Sequence, residues 1–125
     1  TVTDLIQGVV DAAGKPVRLL AMGDRLTSAL DIRSTARCVD AIEYLCYSPD
    51  PDRIRQIIGD AITDVGSPSK LGIGLQAYPP ASRNAADLTA SVSITAESGA
   101  GLASFYNYGI MPKQSLSWIR ASLRA

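Results

Sequence analysis

The stretch that decides the fold is AIEYLCYSPDPDRIRQIIGDAITDVGSPSKLGIGLQAYPP, residues 41–80. It opens on an apolar run, Ala41 to Tyr47, with the composition of a buried strand. SPDPDR follows: Asp50 can cap a helix, Pro51 suits its first turn, and Asp52 sits at the positive end of its dipole. Ile54, Ile57, Ile58, Ala61, Ile62 and Val65 then recur at helical spacing, and Gly66 and Pro68 end the helix. A second apolar run, Leu71 to Tyr78, completes a strand–helix–strand unit.

The same rhythm extends in both directions. Upstream, TVTDLIQGVVDAAG places Val2, Leu5, Ile6, Val9, Val10 and Ala13 on one helical face that should be buried, with Gly14 as its stop. This segment reads as an amphipathic helix and not as a signal peptide. Val17 to Met22 is a short strand, and the polar stretch from Arg25 to Asp40 reads as a long loop with a short helix. Downstream, Asn84 can cap a helix from Ala85 to Glu97 with Leu88, Val92 and Ala96 on its inner face. A fourth strand runs from Leu102 to Tyr108. A last helix, Gln114 to Leu123, would bury Leu116, Ile119 and Leu123.

Strands that start about 24 to 32 residues apart, apolar and alternating with amphipathic helices, predict an α/β fold of parallel βα repeats with four strands. Residues 1–125 form a single α/β unit. Two architectures share this rhythm: half of a TIM-type (β/α)8 barrel, and a small open doubly wound sheet. The doubly wound alternative expects a Gly-rich phosphate turn after the first strand, where this chain has MGDRLTS with one glycine.

Composition narrows the function classes. Hydrophobic residues make up 46% of the chain, enough for a core and too many for a disordered segment. Twelve basic and twelve acidic residues cancel, which argues against nucleic acid as a partner. No apolar run approaches the roughly 20 residues of a membrane span, so no membrane partner is expected. Histidine is absent, and Cys38 and Cys46 have no ligand-like spacing. No metal, cofactor or His-dependent triad is therefore expected, and the two cysteines read as small apolar residues and not as a disulfide.

Alternation along the strands separates two faces. One carries Val17, Leu19, Ala21; Ile42, Tyr44, Cys46; Leu71, Ile73, Leu75, Ala77; and Ala103, Phe105, and it is apolar enough to lie under helices. The other carries Asp24, Met22, Leu20; Tyr47, Leu45, Glu43; Tyr78, Gln76, Gly74; and Tyr108, Tyr106, Ser104. Four of the five tyrosines therefore fall on one face at the carboxyl ends of the strands. A face that turns polar there is what a barrel presents at its ligand-binding mouth. Asn107 has the opposite parity, and a bulge beside Gly109 would turn it inward.

The strand-end motifs YLCYSPDPDRI, GIGLQAYPP and FYNYGIMP, each followed by a helix, resemble the C-terminal half of a (β/α)8 barrel of the glycoside-hydrolase-like kind. The resemblance covers nearly the whole chain. It implies a saccharide or other polyhydroxylated small molecule as ligand, bound by Tyr47, Gln76, Tyr78, Tyr106, Asn107 and Tyr108. It also implies a carboxylate pair, Asp24 and Glu43, for acid/base work. The third strand departs from the family: Gln76 and Tyr78 stand where many retaining barrel glycosidases carry a nucleophilic glutamate. A non-catalytic sugar-binding, small-molecule-binding or assembly module is the alternative, and pairing of Glu43 with Arg18 would favour it. Half a barrel leaves two strand edges and an inner face open, so a complementary N-terminal barrel half or self-association is expected.

Overall fold

The computed structural model describes residues 1–22 and 30–125. Helix α1, Val2–Ala13, starts on a Thr1–Asp4 capping box and stops at Gly14 with φ 59°, a left-handed conformation that favours glycine. Strand β1 is Arg18–Met22. Helix α2, Ile32–Cys38, lies in the stretch read as loop and short helix. Asp31 caps it, accepting from the Ser34 N–H and Oγ. Strand β2 is Ala41–Leu45, and helix α3 is Pro51–Val65, with Asp50 accepting from the Asp52 N–H at 3.0 Å and Gly66 at φ 81°. A 3-10 turn, Pro68–Lys70, leads into strand β3, Leu71–Gln76. Helix α4 is Ala85–Glu97, capped by Asn84; strand β4 is Leu102–Tyr106; helix α5 is Lys113–Ser122. Among the described residues the Pro79–Pro80 and Tyr106–Asn107 peptides are cis.

The four strands form one all-parallel sheet in the order β1-β2-β3-β4. A doubly wound sheet reverses its order about an internal first strand, and this sheet does not. Right-handed crossovers between sequential parallel neighbours carry every connection over the same face. The helices accordingly pack in chain order, α1 on α2, α2 on α3, α3 on α4 and α4 on α5.

The core lies between the helices and one face of the sheet. Ile42 and Tyr44 of β2 with Cys46 just past it, and Ile73 and Leu75 of β3 with Ala77 just past it, are buried in one core with Ile54, Ile58 and Ala61 of α3 and Leu88 and Ile94 of α4. These are the positions that strand alternation assigned to the helix-facing side. Cys38 and Cys46 are free thiols; Cys46 is buried, and burial pushes its thiol up to about 11.

Three helix faces differ from the expected ones, for one reason. In α1, Ile6 and Val10 pack on the core, but Val2, Leu5 and Val9 are exposed. In α5, Trp118 and Ile119 pack inward and Ser115 and Ser122 are buried, whereas Leu116 and Leu123 are exposed. Both helices end the helical layer, and among the described residues nothing flanks their outer sides. In α4, which has helices on both sides, the buried arc is Leu88, Ser91, Ile94 and Thr95, and Ala96 is exposed. The Ser91 and Thr95 hydroxyls donate to the carbonyls of Asp87 and Ser91, which lets these polar residues face inward.

Candidate functional site

The face of the sheet away from the helices is open toward β1, where Leu20 and Met22 are 49% and 60% exposed. Glu43 lies on this face, paired in register with Leu20 on one side and Gly72 on the other, yet it is only 2% exposed. Glycines at 72 and 74 leave room for the Glu43 side chain along β3, and Leu45, Leu102 and Tyr106 crowd the same space. A methyl group at Gly72 would stand 3.4 Å from Glu43 Cβ and Cγ, and one at Gly74 would stand 3.3 Å from Glu43 Oε1.

The Glu43 carboxylate is incompletely satisfied. Arg18 Nη1 stands 3.7 Å from Oε2, an ion pair too long for a hydrogen bond, and among the described residues no partner bonds Oε1 with good geometry. A buried acceptor left in this state costs about 1–3 kcal/mol. Such an atom marks a place where a donor belongs.

Three tyrosines gather beside it at the carboxyl ends of the strands. The Tyr47 and Tyr106 rings are tilted at 55° with centroids 6.1 Å apart, within the range of favourable aromatic pairs. Although Tyr47 keeps 41% of its surface exposed, its hydroxyl is pushed up to about 12, by burial first and then by Tyr106, Tyr78 and Glu43. The Tyr106 hydroxyl is also raised, by burial first, then by the charge of the adjacent Glu43 carboxylate and by donating a hydrogen bond to it, with Arg18 acting in the opposite sense. Both shifts keep the phenols neutral well above physiological pH, so they stay able to donate.

Gln76 is half-buried and pairs in register with Tyr106. Tyr78, also half-buried, lies past the end of β3, where its carbonyl accepts from the Ser82 N–H at 3.1 Å. Asn107 and Tyr108 follow β4 in a turn. Asn107 Oδ1 accepts from the Gly109 N–H at 3.2 Å, and its carbonyl accepts from the N–H groups of Ile110 and Met111. Tyr108 is 79% exposed and lines a surface groove of about 250 Å³ with Met111, Pro112, Lys113 and Leu116. The structure thus draws Glu43, Tyr47 and Tyr106 together, with Tyr78 acting on Tyr47, and sets Gln76 opposite Tyr106. It places Asn107 and Tyr108 where the chain enters α5. Asp24 lies outside the described residues.

Arg18 and Gly74 complete the constellation. Arg18 entered the sequence reading only as a partner for Glu43, and Gly74 only as a position on the inner face. Two glycines at alternate positions of one strand, sharing a face with a glutamate, were the legible signal.

Aromatic faces with neutral phenols and a carboxylate acceptor can stack on a ring and bond its hydroxyls. Among the described residues, no cluster of three His, Cys, Asp or Glu could hold a metal, and no helix is long and apolar enough to cross a membrane.

Fold and site define a singly wound parallel α/β unit with a tyrosine-and-carboxylate rim. Comparison of the chain with known protein families, curated proteins and solved structures finds no match.

Proposed function

We propose that the chain is half of a glycoside-hydrolase-like (β/α)8 barrel whose rim binds a saccharide or a related polyhydroxylated molecule. The observation that carries this proposal is the Tyr47–Tyr106 ring pair beside the buried Glu43 carboxylate, with Tyr78 close enough to Tyr47 to raise its phenol. Sequential parallel order supports the barrel half, because a barrel continues that order until it closes. The tyrosine faces would pack on a ligand ring, while Glu43, buried beneath them, holds the Tyr106 phenol. The Arg18–Glu43 ion pair and the glutamine at position 76 favour a second reading, binding without bond cleavage.

The test is titration of the protein with oligosaccharides by calorimetry or NMR. Tyr47→Ala is the cleaner probe, since the side chain is partly exposed. It should weaken binding by about 1–2 kcal/mol, an aromatic contact plus a hydrogen bond, with little change in stability. Tyr106→Ala should weaken binding by a similar amount and cost some stability as well. Wild-type affinity in both variants would overturn the proposal.

A barrel half also needs a cover, supplied by a complementary half or by a second copy. Val2, Leu5, Val9, Leu20 and Met22 are exposed at the β1 end, and Ile110, Leu116 and Leu123 at the β4 end. The chain by itself should therefore self-associate, and Leu20→Lys with Met22→Lys should shift it toward monomer. Sedimentation velocity showing a compact wild-type monomer at micromolar concentration would count against this.

A further inference from the structure

Glu43 extends from β2 and Tyr106 from β4, and β3 runs between them. Neighbouring strands lie about 4.8 Å apart, so β2 and β4 are separated by about 10 Å. Side chains from the two can meet only where β3 puts nothing in the way, and Gly74 is that place. A methyl group there would stand 2.9 Å from Tyr106 Cε2, 2.9 Å from Leu45 Cδ2 and 3.3 Å from Glu43 Oε1. Carbon atoms in contact keep about 3.5–4.0 Å apart, so a side chain at 74 displaces the ring or the leucine. Gly72, one pair lower, differs. Its nearest neighbours would be 3.4–3.5 Å away, on Glu43 and Leu102, and a methyl group fits with little displacement.

We propose that Gly74 is a positioning residue of the rim: the space above it seats the Tyr106 ring against Leu45 and the Glu43 carboxylate, and so holds the ring beside Tyr47. The Cys46 N–H still bonds the Gly74 carbonyl at 2.8 Å, but Tyr47 lies one residue past that bond and β3 separates it from β4, so the ladder does not by itself set the Tyr47–Tyr106 pair. The seat does so by closing off the other places the ring could occupy. It also brings the Tyr106 phenol against the buried Glu43 carboxylate. A neutral ring-shaped ligand would be recognised there by packing on the paired tyrosine faces. This ligand class rests on the saccharide-binding proposal; the seat does not.

The test compares Gly74→Ala with Gly72→Ala, each first shown to be folded by circular dichroism. The readout is the ring-to-ring NOE between Tyr47 and Tyr106 at neutral pH, without ligand. Gly74→Ala should weaken it and Gly72→Ala should leave it unchanged. If Gly74→Ala does not fold, Leu45→Ala in the wild-type background removes one wall of the seat and should weaken the NOE. A folded Gly74→Ala protein with the NOE intact would overturn the proposal. So would its loss in Gly72→Ala, or full intensity in Leu45→Ala. With an oligosaccharide that binds the wild type, Gly74→Ala should raise Kd about tenfold and Gly72→Ala should leave it unchanged. Failure of the wild type to bind any oligosaccharide would sink the functional proposal, and the ligand-free NOE would still decide the seat.

Discussion

Replacing Gly101 by alanine should destabilise the protein by about 3 kcal/mol, the upper end of what overpacking costs. Gly101 precedes β4 and lies flat against the 3-10 turn Pro68–Lys70. Its N–H is shared between the carbonyls of Pro68 at 3.2 Å and Leu71 at 2.9 Å. A methyl group would stand 2.3 Å from the Ser69 carbonyl oxygen and 3.1 Å from its carbon. Those are backbone atoms, which cannot rotate aside as a side chain can. The turn is held at both ends, by the Leu71 N–H donating to the Pro68 carbonyl and by Lys70 Nζ donating to the Ala36 carbonyl at 2.7 Å. Relief therefore means moving the start of β3 or β4. Gly59, exposed in the middle of α3, has nothing within 4 Å of the corresponding methyl position. Gly59→Ala should stabilise by about 0.5–1 kcal/mol through helix propensity. Urea denaturation of the two variants gives opposite signs. A loss below about 1 kcal/mol for Gly101→Ala would show that the turn yields easily.

Ile73→Ala should cost about 4 kcal/mol, within the range for a fully buried aliphatic side chain. Ile73 is completely buried at the centre of the helix-facing side, in register with Tyr44 of β2 and Ala103 of β4. A cavity there is bounded by strands on both sides and by helices above, and cannot easily collapse. Phe105 shares this face and reads from sequence as a core phenylalanine. It sits on the last strand, however, and is only half-buried. Phe105→Ala should therefore cost about half as much as Ile73→Ala, in proportion to the apolar area it withdraws from water. Thermal or chemical unfolding measures both. Equal losses would mean that β4 is covered as fully as β3.

The sequence by itself determined what depends on near neighbours along the chain. Asp50 and Asn84 cap α3 and α4 as expected, because a cap bonds an N–H two or three residues away. Gly14 and Gly66 adopt the left-handed conformation that a helix end calls for. Strand alternation separated Ile42, Tyr44, Ile73 and Leu75 from the open face, because the two-residue period is a property of the backbone. The βα rhythm announced four parallel strands, and of the two architectures it allowed the sequential order is the one a barrel half requires. Tertiary structure alone decided how many neighbours each element has. That is why the outer stripes of α1 and α5 are exposed despite helical apolar spacing identical in kind to that of α3. It also decided where alternation stops: β4 ends at Tyr106, so parity says nothing about where Tyr108 points. Glu43 was legible as a carboxylate in an otherwise apolar strand, but which residues of β3 stand beside it was decided by the inter-strand register, which pairs it with Gly72.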